Sequence, residues 1–329
     1  MMKNKGIIIF LLILAVVIVA VIVGDYVSDR PNRSKPNPFA YDVNEFKNVN
    51  PELIHYRETK NFRVGFDEPA AIAVYDDKIY VAGDNSVKII DLSGALLNDL
   101  SLPGKPQTVE VFNQTIYIAI DNQIMVYDKE GNLQNEWESL GENSLITAIA
   151  ATENDVFVAD AGKRKVVRYS TAGEILTEFD GKAEEGVLHG FIIPSPCFDI
   201  DINDVGELWV VNPGLHALEN YTYNGNLRSH WKNTGMRPEG FSGCCNPSHF
   251  TFLDDGRFVT SEKGLVRIKT YKRSGEFEGV VAAPVKFADE GRAPDVAADS
   301  QNNIYALDFD KKMIRVFEPK NSARLQPGD

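Results

Sequence analysis

One glycine returns along this chain with the same neighbours each time. Gly94, Gly131, Gly173, Gly225 and Gly275 stand 37, 42, 52 and 50 residues apart. Each closes a short β-rich run that ends in polar residues: KIIDLSG, MVYDKEG, VVRYSTAG, YTYNG and KTYKRSG. A second marker is a strand pair, apolar-x-apolar, a turn, then apolar-aromatic-apolar. It occurs six times, as IAVYDDKIYVAG, VEVFNQTIYIAI, IAATENDVFVAD, IDINDVGELWVV, FTFLDDGRFVTS and VAADSQNNIYAL. Apolar residues alternate with polar ones inside these units, which is the period of a strand. A repeat of about forty residues holding four short strands is the signature of a β-propeller blade.

The expected fold is therefore all-β, a six-bladed β-propeller over residues 60–318. The sixth unit stops after its third strand, MIRVF (313–317). NFRVGF (61–66), ahead of the first unit, is unassigned and can supply the missing outer strand, which closes the ring and removes both sheet edges. Trp137, Trp209 and Trp231 fall on strands and read as packing between blades.

Blade 3 (VFVADAGKRKVVRYSTAGE) and blade 6 (IYALDFDKKMIRVFE) resemble NHL repeats, a family of propeller blades. Blades 1, 2, 4 and 5 match in part, with Gly83, Ile120, Val211 and Ser261 near the expected Asp. The resemblance implies architecture, and a structural role for Asp160 and Asp308 in bonding backbone between strands. It implies little about function, because propellers host binding, scaffolding and catalysis alike.

Ile7 to Val23 is an uninterrupted apolar run of seventeen residues, preceded by Lys3 and Lys5. As a helix it would span roughly 26 Å, close to a hydrocarbon core of about 30 Å. It reads as a single-pass transmembrane signal anchor within residues 1–24, with the N-terminus cytoplasmic and the propeller extracytoplasmic, periplasmic or extracellular. A cleaved signal peptide is the alternative, although no A-x-A site follows. Residues 25–59 carry Pro31, Pro36, Pro38 and Pro51 and read as a stalk. Residues 319–329 form a C-terminal tail. The formal net charge of −13 becomes −15 without Lys3 and Lys5. That balance excludes sequence-independent nucleic-acid binding, which needs a basic face.

Function in a propeller shows where the repeat is broken. The connections before blades 2 and 3 are short (102–107 and 139–146), whereas those before blades 4, 5 and 6 are long (180–197, 233–248 and 282–294). They are expected to wall one half of the mouth of the central channel. Aligning the strand pairs puts Ala71, Thr108, Ala148, Asp199, His249 and Asp295 at the start of the six inner strands. Blades 1–3 offer small neutral residues there, and blades 4–6 offer Asp, His and Asp. Each Asp could equally cap a turn. All three cysteines lie on the long connections: Cys197, then Cys244 and Cys245 in GCCNPSH, with His249 four residues on. With His189, these could bind a soft or borderline transition metal such as zinc or copper. A disulfide from Cys197 to one of the pair, a Cys244–Cys245 disulfide, and buried thiols are the other readings. Arg237 and Arg292 lie on the same connections. Glu262 and Lys263, ending the second strand of blade 5, are expected near the opposite face.

No G-x-S-x-G, phosphate-binding loop, HExxH, CxxC or CxxCH pattern occurs. A membrane-tethered module that binds a protein partner or small ligand at the channel mouth is the leading expectation. An enzyme is the second. Six-bladed propellers resembling this one include metal-dependent lyases and lactone hydrolases, which would make Asp199, His249 and Asp295 ligands of a channel metal. A redox or metal-handling subunit using the Cys/His cluster is the third.

Overall fold

The computed structural model describes residues 3–28, 43–182 and 190–320, and divides into a unit at 1–42 and a unit at 43–329. In the first unit, Lys3–Ser28 is a helix. Among the described residues no helix is long and apolar enough to cross a membrane.

The second unit holds six four-stranded antiparallel sheets. Blades 1 to 5 are built from consecutive strands, counted from the channel outwards. Blade 3 comprises Ile146–Ala151, Asp155–Asp160, Lys165–Ser170 and Ile175–Phe179. Blade 6 comprises Asp295–Ala298, Ile304–Asp308 and Met313–Pro319, and its outer strand is Tyr56–Arg63 from the other end of the unit. The N-terminal closure expected from the repeat count is thus present, but the strand lies earlier than 61–66. Val64 and Phe66 instead leave the strand and bury themselves in the core between blades 6 and 1. Arg63 pairs with Met313 at one end and Tyr56 with Pro319 at the other. Glu58 of the closing strand binds Arg315 through two nitrogens, at 3.0 and 2.8 Å, and also Lys286 at 3.1 Å. The Arg315 bond, with help from Lys286, lowers the Glu58 carboxyl to about 2 despite partial burial. Asn44–Lys47 and Pro51–Leu53 are short helices, and Ile54 bridges to Val280 of blade 5. The expected end of the stalk at residue 59 therefore falls inside a strand.

Packing explains why the repeat reads as it does. Six apolar clusters separate the six pairs of adjacent blades, so the ring closes on hydrophobic contacts throughout. Second strands are covered on both faces, which is why VFVAD and IYALD are continuous apolar runs. Outer strands face solvent, as LLNDLS does. Trp137 and Trp209 lie inside the clusters, and Trp231 packs against one of them.

The period-setting glycines have a steric cause. Gly173 has φ +90°, and a Cβ there would come within 2.5 Å of the Trp137 ring, which belongs to blade 2. At the equivalent glycines 94, 131, 225 and 275 the same space is taken by Phe62, Leu100, Phe179 and Trp231 of the preceding blade. The turn of each of blades 1 to 5 thus sits under a large side chain of its neighbour. Gly173→Ala should cost about 2–4 kcal/mol, combining left-handed strain with overpacking. Urea unfolding would measure it, and a loss under about 0.5 kcal/mol, typical of a neutral surface change, would contradict this reading.

Candidate functional site

The inner strands run in one register around the ring. Ala71, Thr108, Ala148, His249 and Asp295 pair with Ala82, Ala119, Ala159, Ser261 and Leu307 of their second strands. The Asp199 carbonyl accepts the Val211 N–H at the same level. These six residues line a cavity of about 430 Å³ at the mouth of the channel. Small residues on blades 1–3 leave the space, and blades 4–6 fill its opposite wall with ionisable groups.

Asp199, His249 and Asp295 come together. The His249 Nδ1 lies 3.8 Å from Asp199 Oδ2 and 3.6 Å from Asp295 Oδ1. Both carboxylates also stitch blades. Asp199 Oδ2 accepts the Phe250 N–H of blade 5 at 2.8 Å, and Asp295 Oδ2 accepts the Ile72 N–H of blade 1 at 2.9 Å. These bonds fix each carboxylate's orientation beside His249. Thr147 does the same between blades 3 and 4, donating to the Phe198 carbonyl at 2.6 Å.

The level below carries acids that the sequence reading passed over. Side chains two residues on along a strand share a face, and there Glu110 and Asp201 line the cavity with Thr251. Asp201 Oδ2 accepts the Thr251 hydroxyl at 2.9 Å. The signal was available: Glu110 interrupts the apolar positions of VEVF, and Asp201 those of IDI.

Confinement shifts these groups in opposite directions. Burial, reinforced by the Asp295 charge, pushes Asp199 well above the ordinary carboxylate range. Burial also raises Asp295, against the pull of His249, and raises Asp201 to about 6. Glu110 goes well up through burial and the neighbouring Asp201. Burial lowers His249, with Asp295 opposing that shift and Arg292 adding to it. The trio thus sets an imidazole that holds its proton less readily than usual beside carboxyls that hold theirs more readily.

Of the other expected residues, Cys197 and Arg292 line the cavity, and the Arg292 guanidinium stacks 4.1 Å from the Phe309 ring. Arg237 is exposed and, like Cys244 and Cys245, is not among the cavity's lining residues. His189 lies outside the described residues. All three cysteines are free, so neither expected disulfide is present. Among the described residues no three His, Cys, Asp or Glu side chains are grouped to hold a metal ion.

Lys263 requires a correction. A second strand runs antiparallel to the inner one, so its end lies beside the inner strand's start, at the mouth and not at the opposite face. Lys263 lines the cavity, and its Nζ donates to Ser195 Oγ at 2.7 Å. The same geometry assigns the position of the repeat's Asp. Asp160 Oδ1 accepts the Leu145 N–H, Asn212 Oδ1 the Ile192 N–H, and Glu262 Oε2 the Ser242 N–H. Blades 4 and 5 therefore use Asn212 and Glu262 where the resemblance suggested Val211 and Ser261. In each case the side chain ties the incoming connection to the blade, which is a structural role.

No family model matches the chain, and no curated protein matches it. Solved structures do. A protein of unknown function from Bacteroides thetaiotaomicron aligns with TM-score 0.60 and 15% identity over 79% of this chain and 72% of that one. A streptogramin B lyase aligns with TM-score 0.57 and 14% identity over 80% and 98%. Virginiamycin B lyase from Staphylococcus aureus aligns with TM-score 0.56 and 19% identity over 81% and 89%. At such identities the likeness establishes the six-bladed propeller and nothing finer.

Proposed function

We propose that this protein is a membrane-tethered, extracytoplasmic propeller that binds a small ligand, or a protruding group of a protein partner, at the channel mouth. The observation that carries the reading is the convergence of Asp199 and Asp295 on His249 inside a cavity of about 430 Å³. Concave, largely preformed sites with a few convergent polar groups are the usual place for ligands. The wall of Asp199, Asp201, Asp295 and Glu110 favours a group that donates hydrogen bonds or carries positive charge. Lys263 and Arg292 can meet an anionic part of the same ligand. The anchor rests on Ile7–Val23, which falls within the helix Lys3–Ser28 and whose described side chains are exposed.

Calorimetry with ethylammonium as the probe tests the mouth. Binding to the wild type is expected, with affinity at least tenfold weaker in Asp199→Asn and in Asp295→Asn. Equal affinity in all three proteins would sink the proposal.

One observation favours an enzyme as the second reading. His249 held neutral can accept a proton, and the raised Asp199 can hold one. Two structures similar in fold are those of lyases. The expected channel metal has no support in the grouping of the described side chains.

A further inference from the structure

The adjacent cysteines of the connection before blade 5 lie beside the channel mouth, outside the site proposed above. Cys244 Sγ and Cys245 Sγ are 3.0 Å apart, and both are free thiols. Cys244 is exposed, whereas Cys245 is buried at 4% exposure. The loop that carries them is pinned. Asn246 Nδ2 donates to the Ser242 and Lys263 carbonyls at 2.7 and 3.1 Å, and Asn246 Oδ1 accepts the Lys263 N–H at 3.0 Å. Lys263, further tied to Ser195, therefore faces the pair from the end of a rigid strand.

That environment makes the two thiols unequal. Burial opposes ionisation of Cys245, but hydrogen bonds from Cys244 and Ser195 and the Lys263 charge outweigh it and lower the thiol. The hydrogen bond to Cys245 raises Cys244 in turn. When the pair gives up one proton it leaves from Cys245, and Cys244 then donates to the buried thiolate.

We propose that Cys244 and Cys245 form a redox-active vicinal dithiol, oxidised by thiol–disulfide exchange with small disulfides. The proton passes from Cys244 to Cys245 along their hydrogen bond, which leaves an exposed thiolate on Cys244. Cys244 Sγ attacks one sulfur of the disulfide RSSR; a bond forms between Cys244 and R–S, and RS⁻ leaves. Cys245 returns its proton to that RS⁻, attacks Cys244 Sγ and expels the second RS⁻. One thiol, one thiolate and RSSR become a Cys244–Cys245 disulfide, RSH and RS⁻, with two electrons passing to the incoming disulfide. Oxidation removes a negative charge next to Lys263, which also lines the ligand cavity.

The test is to treat the full chain with glutathione disulfide and follow free thiols, intact mass and a peptide map. The expected result is loss of two of the three thiols, a mass lower by two hydrogens, and a Cys244–Cys245 linkage reversed by a dithiol reductant. Cys245→Ser should stop at a stable glutathione adduct on Cys244. Lys263→Met should slow the wild-type reaction about tenfold as the buried thiolate loses its counter-charge. A persistent adduct on wild-type Cys244, a disulfide that recruits Cys197, or an unreactive pair would each overturn the proposal. None of these outcomes depends on whether the mouth binds ethylammonium.

Discussion

Glu262→Gln should destabilise the propeller by about 3–5 kcal/mol, because it removes the carboxylate that two fully buried basic side chains share. Glu262 Oε1 lies 2.7 Å from both Arg267 Nε and Lys269 Nζ, and all three side chains are inaccessible to solvent. Arg267 and Lys269 spend their remaining donors on the connection before blade 5. Arg267 binds the Met236 and Gly240 carbonyls at 2.9 and 2.7 Å, and Lys269 binds the Gly240 carbonyl at 2.7 Å. Burial lowers Lys269 to about 7, even with Glu262 opposing the shift. An amine whose folded pKa lies below its unfolded value takes up fewer protons when folded, so stability rises with pH through that interval. Without Glu262 the depression deepens, and the loss should be larger at pH 6 than at pH 9. Denaturant unfolding at both values would show this. A loss below about 1 kcal/mol at pH 6 would mean that the cluster does not hold the connection.

Removing residues 1–63 should be at least as damaging. It strips the outer strand from blade 6 and leaves the edge of Met313–Pro319 unpaired. Tyr56 leaves the core between blades 5 and 6, and Arg315, 4% exposed, loses Glu58. The combined cost is on the order of 5 kcal/mol, a large part of the usual stability of a domain. Removal of residues 1–42 keeps the closing strand and should leave the midpoint in place. Urea midpoints of the two truncations compare them directly, and equal midpoints would refute ring closure by Tyr56–Arg63.

The sequence carried the architecture because the repeat is imposed by contacts between neighbouring blades. A glycine under Trp137 or Trp231 is demanded by geometry, so it recurs at readable intervals. The inner-strand register is legible for the same reason, and from the sequence alone it brings Asp199, His249 and Asp295 to one level. Glu110 and Asp201 were missed because the reading stopped at strand starts. It did not follow the strand's two-residue period one step further down the channel. Lys263 was misplaced by treating the end of a second strand as if it ran parallel to the first. Arg237 and the cysteine pair lie on the expected connection but do not line the cavity. Their connection instead folds over Arg267 and Lys269, whose capture of carbonyls has no signature in a linear sequence.

The mouth's chemistry yields the most direct test. Asp199 and Asp295 hold protons more readily than free carboxyls, because burial disfavours their charge. A cation placed between them favours the ionised forms, so over the range in which they titrate binding expels protons and affinity increases with pH. The decisive measurement is calorimetry of ethylammonium binding at fixed pH in two buffers of different ionisation enthalpy. The account predicts net proton release, markedly reduced in the Asp199→Asn, Asp295→Asn double variant. Binding without proton release, or release undiminished in the double variant, would contradict it.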